Sequence, residues 1–295
     1  VISRSSAFGY DKTGKTLQQV GKDFDVEYVL EGTVRWARSG EISRVRIAPQ
    51  LVRVADDTSI WAETYDSPMD DIFQVQSNIA GQVIDALGVV LMGTERASLE
   101  SRPTENQEAY RAYLRGIDAL DKNPTGPLAE QMIQRAVELD PGFALAWAGL
   151  SRAQSWRFHG GDRTPERRES ARSSAEEALR LAPGAPEAHM AMGLYYYRCF
   201  RDYDRALAEI AIAAAARPND TDVMSWKATI YKRQGKFEKS IGLNQRVLEL
   251  DPMDHSSANE IAVAQRLAGE FLKSLEAYDL SLAINPDLPA PYYRK

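Results

Sequence analysis

The hydrophobic pattern changes period twice in the first ninety residues. Lys15–Phe24 (KTLQQVGKDF) carries Leu17, Val20 and Phe24 at helical spacing, with Gly21 as a weak point. VEYVLEGTVRWAR then alternates, with Tyr28, Leu30, Val34 and Trp36 on one face and Glu31, Thr33 and Arg35 on the other. Ser39-Gly40-Glu41 reads as a turn. After it, RVRIAPQLVRV sets Val45, Ile47 and Leu51 against Arg44, Arg46 and Gln50. An interval ending Asp57-Thr58 leads into SIWAETYD, a third strand. Tight connections between these strands predict a three-stranded antiparallel meander. Ser67-Pro68-Met69-Asp70 opens a long helix striped by Ile72, Val75, Ile79, Val83 and Leu87. That helix is expected to cover one sheet face, because a bare three-stranded sheet buries too little. These elements define an α/β module over residues 1–95. The polar stretch 96–106 is either a linker or, up to Ser101, a continuation of the helix.

From Gln107 the pattern is helical throughout, and it repeats. Pro218, Pro252 and Pro286 stand 34 residues apart. Between them lie a helix-length segment, a Gly turn (Gly235, Gly269), an aromatic (Phe237, Phe271) and a second helix stopped by Asp-Pro or Asn-Pro. That period with that content resembles a tetratricopeptide array, a superhelix of stacked helical hairpins. The units run 107–143, 144–185, 186–220, 221–254 and 255–288, with a partial one from 289. In the second unit Trp147, Leu150 and Ser151 fill the signature positions and Gln154 replaces the usual Tyr. His189, Met192, Gly193 and Tyr196 serve in the third. Prolines at 141, 183, 218, 252 and 286 give spacings of 42, 35, 34 and 34, and both departures are expected in inter-helix loops. A single hairpin cannot bury its apolar face, so neighbours stack into one core. Gly193, Ala206, Ala213 and Ala228 are expected to let helices approach closely. Truncating a core aromatic such as Tyr196 to Ala should cost ~3–5 kcal/mol.

VISRSSAF, YVLEGTVR, RVRIAPQLV, IWAETYD and DDIFQVQSNIA together resemble the TolB amino-terminal-like domain over roughly the first 95 residues. Members of that family begin with a further strand and helix upstream of the segment matching VISRSS, so the resemblance implies a module truncated at its start. It also implies a bacterial regulatory protein whose upstream output domain is a class III nucleotide cyclase, a winged-helix regulator or a protein kinase. The opening VISRSSAF, without initiator Met or signal peptide, fits a piece of a longer polypeptide.

Composition narrows the chemistry. With 44% hydrophobic and 26% charged residues the chain is globular, and its net charge of −6 gives no pull toward nucleic acid or anionic lipid. No apolar run is long enough to span a bilayer. A lone cysteine, Cys199, excludes an internal disulfide framework and fits the cytoplasm. Gly9, Gly14, Lys15 and Thr16 satisfy the phosphate-loop spacing letter for letter. Such a loop needs a buried strand before it and a magnesium-binding Asp after a second one, and neither is read here, so nucleotide binding is the weaker alternative. His159, His189 and His255 have no helical ligand spacing, so no metal or cofactor is expected, and His189 reads as a packing residue. Asp56-Asp57 reads as a turn and Asp70-Asp71 as a helix start. Arg35, Arg44, Arg46 and Arg53 read as a solvated sheet face, and Arg157–Arg172 as a solvated loop insertion. No nucleophile-elbow context appears, so the chain itself is not expected to be an enzyme.

The tetratricopeptide resemblance implies a concave surface lined by the first helix of each unit. Carried over position by position, it is lined by Leu145, Ala148, Arg152 and Trp156, then by Glu187, Met190, Leu194, Tyr197 and Arg198. The later units add Asp222, Ser225, Thr229, Lys232 and Arg233, then Ser256, Asn259, Val263 and Arg266. The basic edge beside apolar and aromatic residues predicts a protein or peptide partner with acidic and apolar side chains, anchored on Trp156 and Tyr197. The expected function is a non-catalytic regulatory or scaffolding region, the alternative being a fragment of a nucleotide cyclase.

Overall fold

The computed structural model describes residues 2, 4–10, 12–39, 42–68, 72–90 and 102–286. The chain forms two compact units: residues 9–102, and residues 103–295 together with 1–8. A short helix, α1 (Arg4–Gly9), opens it.

In the smaller unit, helix α2 (Leu17–Phe24) begins on a capping box. The Thr16 hydroxyl accepts from Gln19 N while the Gln19 side chain accepts from Thr16 N. Phe24 is buried against the Tyr10 ring, 4.7 Å away between centroids. Strand β1 (Tyr28–Ser39) pairs antiparallel with β2 (Ile42–Arg53). Leu30 lies opposite Leu51 and Val34 opposite Ile47, while Glu31 faces Gln50 and Arg35 faces Arg46. Directly opposed residues share a face, so this register preserves the alternation read from the sequence. The expected third strand is two: β3 (Thr58–Ala62) and β4 (Tyr65–Pro68). Both pair antiparallel with β2, at its two ends, making four strands. A register shift between Leu51 and Val52 marks the irregular stretch. Helix α3 (Ile72–Ala86) packs on β3 and β4 and buries Val75. Met69, Asp70, Asp71, Gly40 and Glu41, where a helix start and a turn are expected, lie outside the described residues.

Among the described residues from 103 onward, the larger unit is five helical hairpins. They comprise α4 (Gln107–Lys122) with α5 (Pro127–Leu139), α6 (Ala144–His159) with α7 (Pro165–Leu181), and α8 (Pro186–Tyr195) with α9 (Tyr203–Ala216). The last two pair α10 (Thr221–Arg233) with α11 (Phe237–Leu250) and α12 (His255–Leu267) with α13 (Phe271–Ile284). The partial unit from 289 lies outside the described residues, as do residues 96–101 of the proposed linker. Residues just before α4 are tied down: the Thr104 hydroxyl donates to Asp140, and Asn106 Nδ2 donates to Leu139 O at 2.9 Å.

Within each hairpin the helices touch through small residues. A Cβ on Gly116 would fall 2.3 Å from the Ile133 side chain, and one on Gly193 would fall 2.9 Å from Ile210. At Ser151 and Ser274 a hydroxyl stands in for hydrogen or methyl and bonds across the seam, whereas the buried Ser240 Oγ, at the place equivalent to Ser274, has no hydrogen-bond partner among the described residues. Ser151 Oγ donates to Ala171 O at 2.7 Å, and Ser274 Oγ to Ala262 O at 2.8 Å. Ser174 Oγ donates to Gln154 Oε1 at 2.9 Å, which gives the residue standing in for Tyr a buried partner. Between units a ring nitrogen closes the joint. Trp147 Nε1 donates to Pro141 O at 2.9 Å, and His189 Nε2 lies 2.9 Å from Pro183 O, six residues back in both cases. His189 Nδ1 sits 2.7 Å from Glu209, so beside the packing role read from the sequence this histidine also bridges the two helices of its hairpin.

The two irregular spacings are accommodated mainly in helices, against the loop expectation. The second hairpin's inter-helix segment is only 160–164, because α6 runs on to His159 and α7 starts at Pro165. Residues 157–159 and 165–172 are therefore helical. Arg157 and Arg167 there share Glu130 and Asp162 in a partly buried ion network. The single extra residue of the third unit is wound into a π-turn, Tyr196–Phe200, at the end of α8. Its effect is local: Tyr195 is buried and Tyr196 only half-buried, so Tyr195 takes the core role expected of Tyr196.

The chain then turns in a left-handed residue, Arg201 (φ 56°), where the next units use Gly235 (φ 73°) and Gly269 (φ 83°). A left-handed non-glycine residue costs about 1–2 kcal/mol, partly offset by the extra chain entropy of glycine. Arg201→Gly is therefore expected to be neutral or to stabilise by up to about 1 kcal/mol, and Gly235→Ala to destabilise by about 1 kcal/mol. Urea unfolding midpoints check both.

Candidate peptide groove

The first helices, each turned by the same small-residue seam, present one face to a shared cleft. Tyr113 of α4, Leu145, Ala148 and Arg152 of α6, Glu187 and Met190 of α8, and Asp222 and Trp226 of α10 line it, around a volume of about 100 Å³. Arg217 spans one side, 2.6 Å from Glu187. Asp222 is open to solvent at its edge yet surrounded by protein below. Burial pushes its carboxyl above the usual carboxylate range, and the Arg152 guanidinium pulls it back.

Beside the cleft is a cluster of aromatic rings around one guanidinium. Trp156 and Trp226 meet edge-on at 6.0 Å, and Tyr197 lies 6.3 Å from Trp226. The Arg198 guanidinium carbon sits 3.6 Å from the Trp156 ring centre and 4.6 Å from that of Trp226. Arg198 is 5% exposed.

The residues read as groove-lining fall into three groups. Arg152 and Met190 line the cleft; Trp156, Tyr197 and Arg198 join the ring cluster. Leu194 is a correction: it is fully buried with Ala206 and Ile210 and offers no surface. Lys232 is engaged by Glu260 and only 8% exposed, which removes it from the free basic edge. Arg233 is exposed, within hydrogen-bonding reach of Tyr197. Thr229, Asn259, Val263 and Arg266 are half-buried and stand away from the cleft lining. Sequence reasoning missed Tyr113 and Trp226. Trp226 was legible from helical spacing, being four residues beyond Asp222 on the same face.

The other candidate chemistry finds structural uses. Lys15 Nζ is 2.8 Å from Asp23 and 3.0 Å from the Tyr10 hydroxyl, and these contacts raise its pKa. Thr16 caps α2, and the element before Gly9 is a helix, not a strand. Arg44 and Arg46 both bind Asp66, at 3.0 and 2.6 Å. Burial pushes the Cys199 thiol up to about 11. Among the described residues no three His, Cys, Asp or Glu converge as metal ligands, and no helix is long and apolar enough to cross a membrane.

Residues 200–254 and 227–289 match the family model of the tetratricopeptide repeat. Over 198 residues the chain is 34% identical to "Putative adenylate cyclase 3" of Rhizobium meliloti (strain 1021), covering 66% of this chain and 33% of that protein. The chain thus spans about a third of the length of that curated relative. Among solved structures, PilW, titled a widely conserved type IV pilus biogenesis factor, superposes with a TM-score of 0.50 at 18% identity, covering 62% of this chain and 80% of that one. Pseudomonas aeruginosa pilF gives 0.46 at 19% identity, covering 61% and 77%. At 18% identity the likeness to PilW is one of fold: the larger unit is a tetratricopeptide superhelix.

Two outcomes follow from this geometry. Because folding raises the Asp222 pKa, the native state holds that proton more tightly than the unfolded chain, and stability falls as pH rises through the shifted value. Asp222→Asn is expected to stabilise at neutral pH, with the gain vanishing as pH drops toward the ordinary aspartate range; urea titrations at the two pH values measure it. Calorimetry with magnesium ATP is expected to give no saturable heat that Lys15→Ala abolishes.

Proposed function

We propose that the repeat array docks a protein or peptide segment of acidic and apolar character along its first helices, as a non-catalytic regulatory or scaffolding region. The observation that supports this best is the cleft flanked by Trp156, Trp226 and Tyr197. Aromatic anchors beside arginine are the commonest high-energy contacts of protein interfaces, and Arg152, with Arg198 and Arg233 beside the cleft, argues for an acidic partner although Glu187, Asp220 and Asp222 also line it. We further read residues 1–95 as a TolB amino-terminal-like module, and the whole as a cytoplasmic part of a larger bacterial signalling protein.

A second reading, that the parent polypeptide is a class III nucleotide cyclase, is favoured by the Rhizobium relative. In the full-length polypeptide, cyclase output that responds to deletion of the array supports this reading, and unaltered output opposes it.

An array of apolar peptides carrying either Glu or Lys, probed with the full chain, tests the docking reading. Preferential binding of Glu-containing sequences, lost in Trp156→Ala by about tenfold or more, is the expected result. Equal binding of both series, or none, would contradict it.

A further inference from the structure

Arg198 is buried without a counter-charge, and the repeat itself shows what is missing. Among the described residues neither terminal guanidinium nitrogen of Arg198 has a hydrogen-bond partner. The charge that acts on it most strongly is another guanidinium, Arg152, whose own Nε is likewise buried and unpartnered. Burial and the arginines nearby, Arg198 first among them, also hold the His159 imidazole below its ordinary value. Indole faces attract a guanidinium, but they supply none of the acceptors its N–H groups need.

One repeat further on, the same position is complete. Counted back from the left-handed turn, Lys232 stands three residues before Gly235 as Arg198 stands three before Arg201, and its ammonium is bound by Glu260 of the following unit. Glu260 in turn stands 34 residues after Trp226. The third and fourth units therefore reproduce the Lys232–Glu260 pair with the cation kept and the carboxylate replaced by an indole. The cation also sits in the π-turn, which inserts one residue into this first helix: 15 residues separate its start from the left-handed turn, against 14 in each of the next two units. π-turns recur at functional sites.

We propose that Arg198, seconded by Arg152, is the receptor for an acidic side chain of the segment docked in the groove, which supplies the carboxylate that Glu260 supplies to Lys232. This rests on the docking reading above and names the chemistry of its central subsite. Trp226 lines the cleft and covers Arg198, so its indole must swing aside for the carboxylate to form a charge-assisted, forked hydrogen bond.

The probe is an end-capped peptide of alternating Glu and Leu, compared with its Gln and Leu counterpart, titrated into the full chain by tryptophan emission and fluorescence anisotropy. Wild type is expected to bind the Glu peptide at least about tenfold more tightly than the Gln peptide and to shift its indole emission. Arg198→Met should erase that preference while leaving the urea midpoint unchanged or higher, since it removes an uncompensated buried charge. A purely structural arginine would instead lower the midpoint and leave the preference intact. Should Arg198→Met fail to fold, Arg152→Gln replaces it and is expected to reduce the preference; an undiminished one overturns the assignment. Equal wild-type affinity for both peptides sinks the carboxylate receptor alone. Binding of neither sinks the docking reading with it.

Discussion

The larger unit depends on one constraint, the close approach of two helices within each hairpin. Gly116, Ser151, Gly193, Ala228 and Ala262 stand at equivalent places on successive first helices, and a side chain larger than these would collide with the second helix. Interiors are packed as densely as crystals, so the separation of helices is set by the bulk at the contact. The seam fixes how each hairpin is turned, and that fixes which face of each first helix looks into the cleft. Ring nitrogens of Trp147 and His189, bonded to the carbonyls of Pro141 and Pro183, then hold one hairpin to the last. Stacking follows from local rules repeated, as expected of an array in which each unit contacts its neighbours.

Electrostatics in the array sort into charges that hold units together and charges left over. Glu130 and Asp162 with Arg157 and Arg167, Arg217 with Glu187, and Lys232 with Glu260 are all paired across elements. Exposed pairs of this kind contribute little, and partly buried ones set register more than stability. Arg198 differs from all of them in being buried and unpaired, within the π-turn that ends α8. An interior normally pairs such a charge.

Much of this was legible in the residues. The 34-residue period gave the hairpins, and alternation in β1 and β2 gave the sheet faces that the observed register preserves. The small residues of the seam were readable because bulk is a property of the residue alone. What failed to show depended on where a perturbation is absorbed. An insertion changes a spacing without saying whether a loop or a helix takes it up. The extra residue before Arg201 became a π-turn, and most of those in the second unit lengthened α6 and α7. Position-by-position carry-over into the groove failed for Leu194 and Lys232 for a related reason. The rule names a face, whereas burial and pairing depend on what the packed helices offer, here Ile210 of the same hairpin and Glu260 of the next. The split of the third strand at Glu63 and Thr64 was equally invisible, since each half keeps its pairing with β2.

Hydrogen exchange of the full chain, with and without a saturating acidic-apolar peptide, tests the central claim most directly. Docking along the first helices predicts added protection in α6, α8 and α10, centred on Arg152, Arg198 and Trp226. Protection confined to the second helices or to the sheet unit, or none at all, would contradict it.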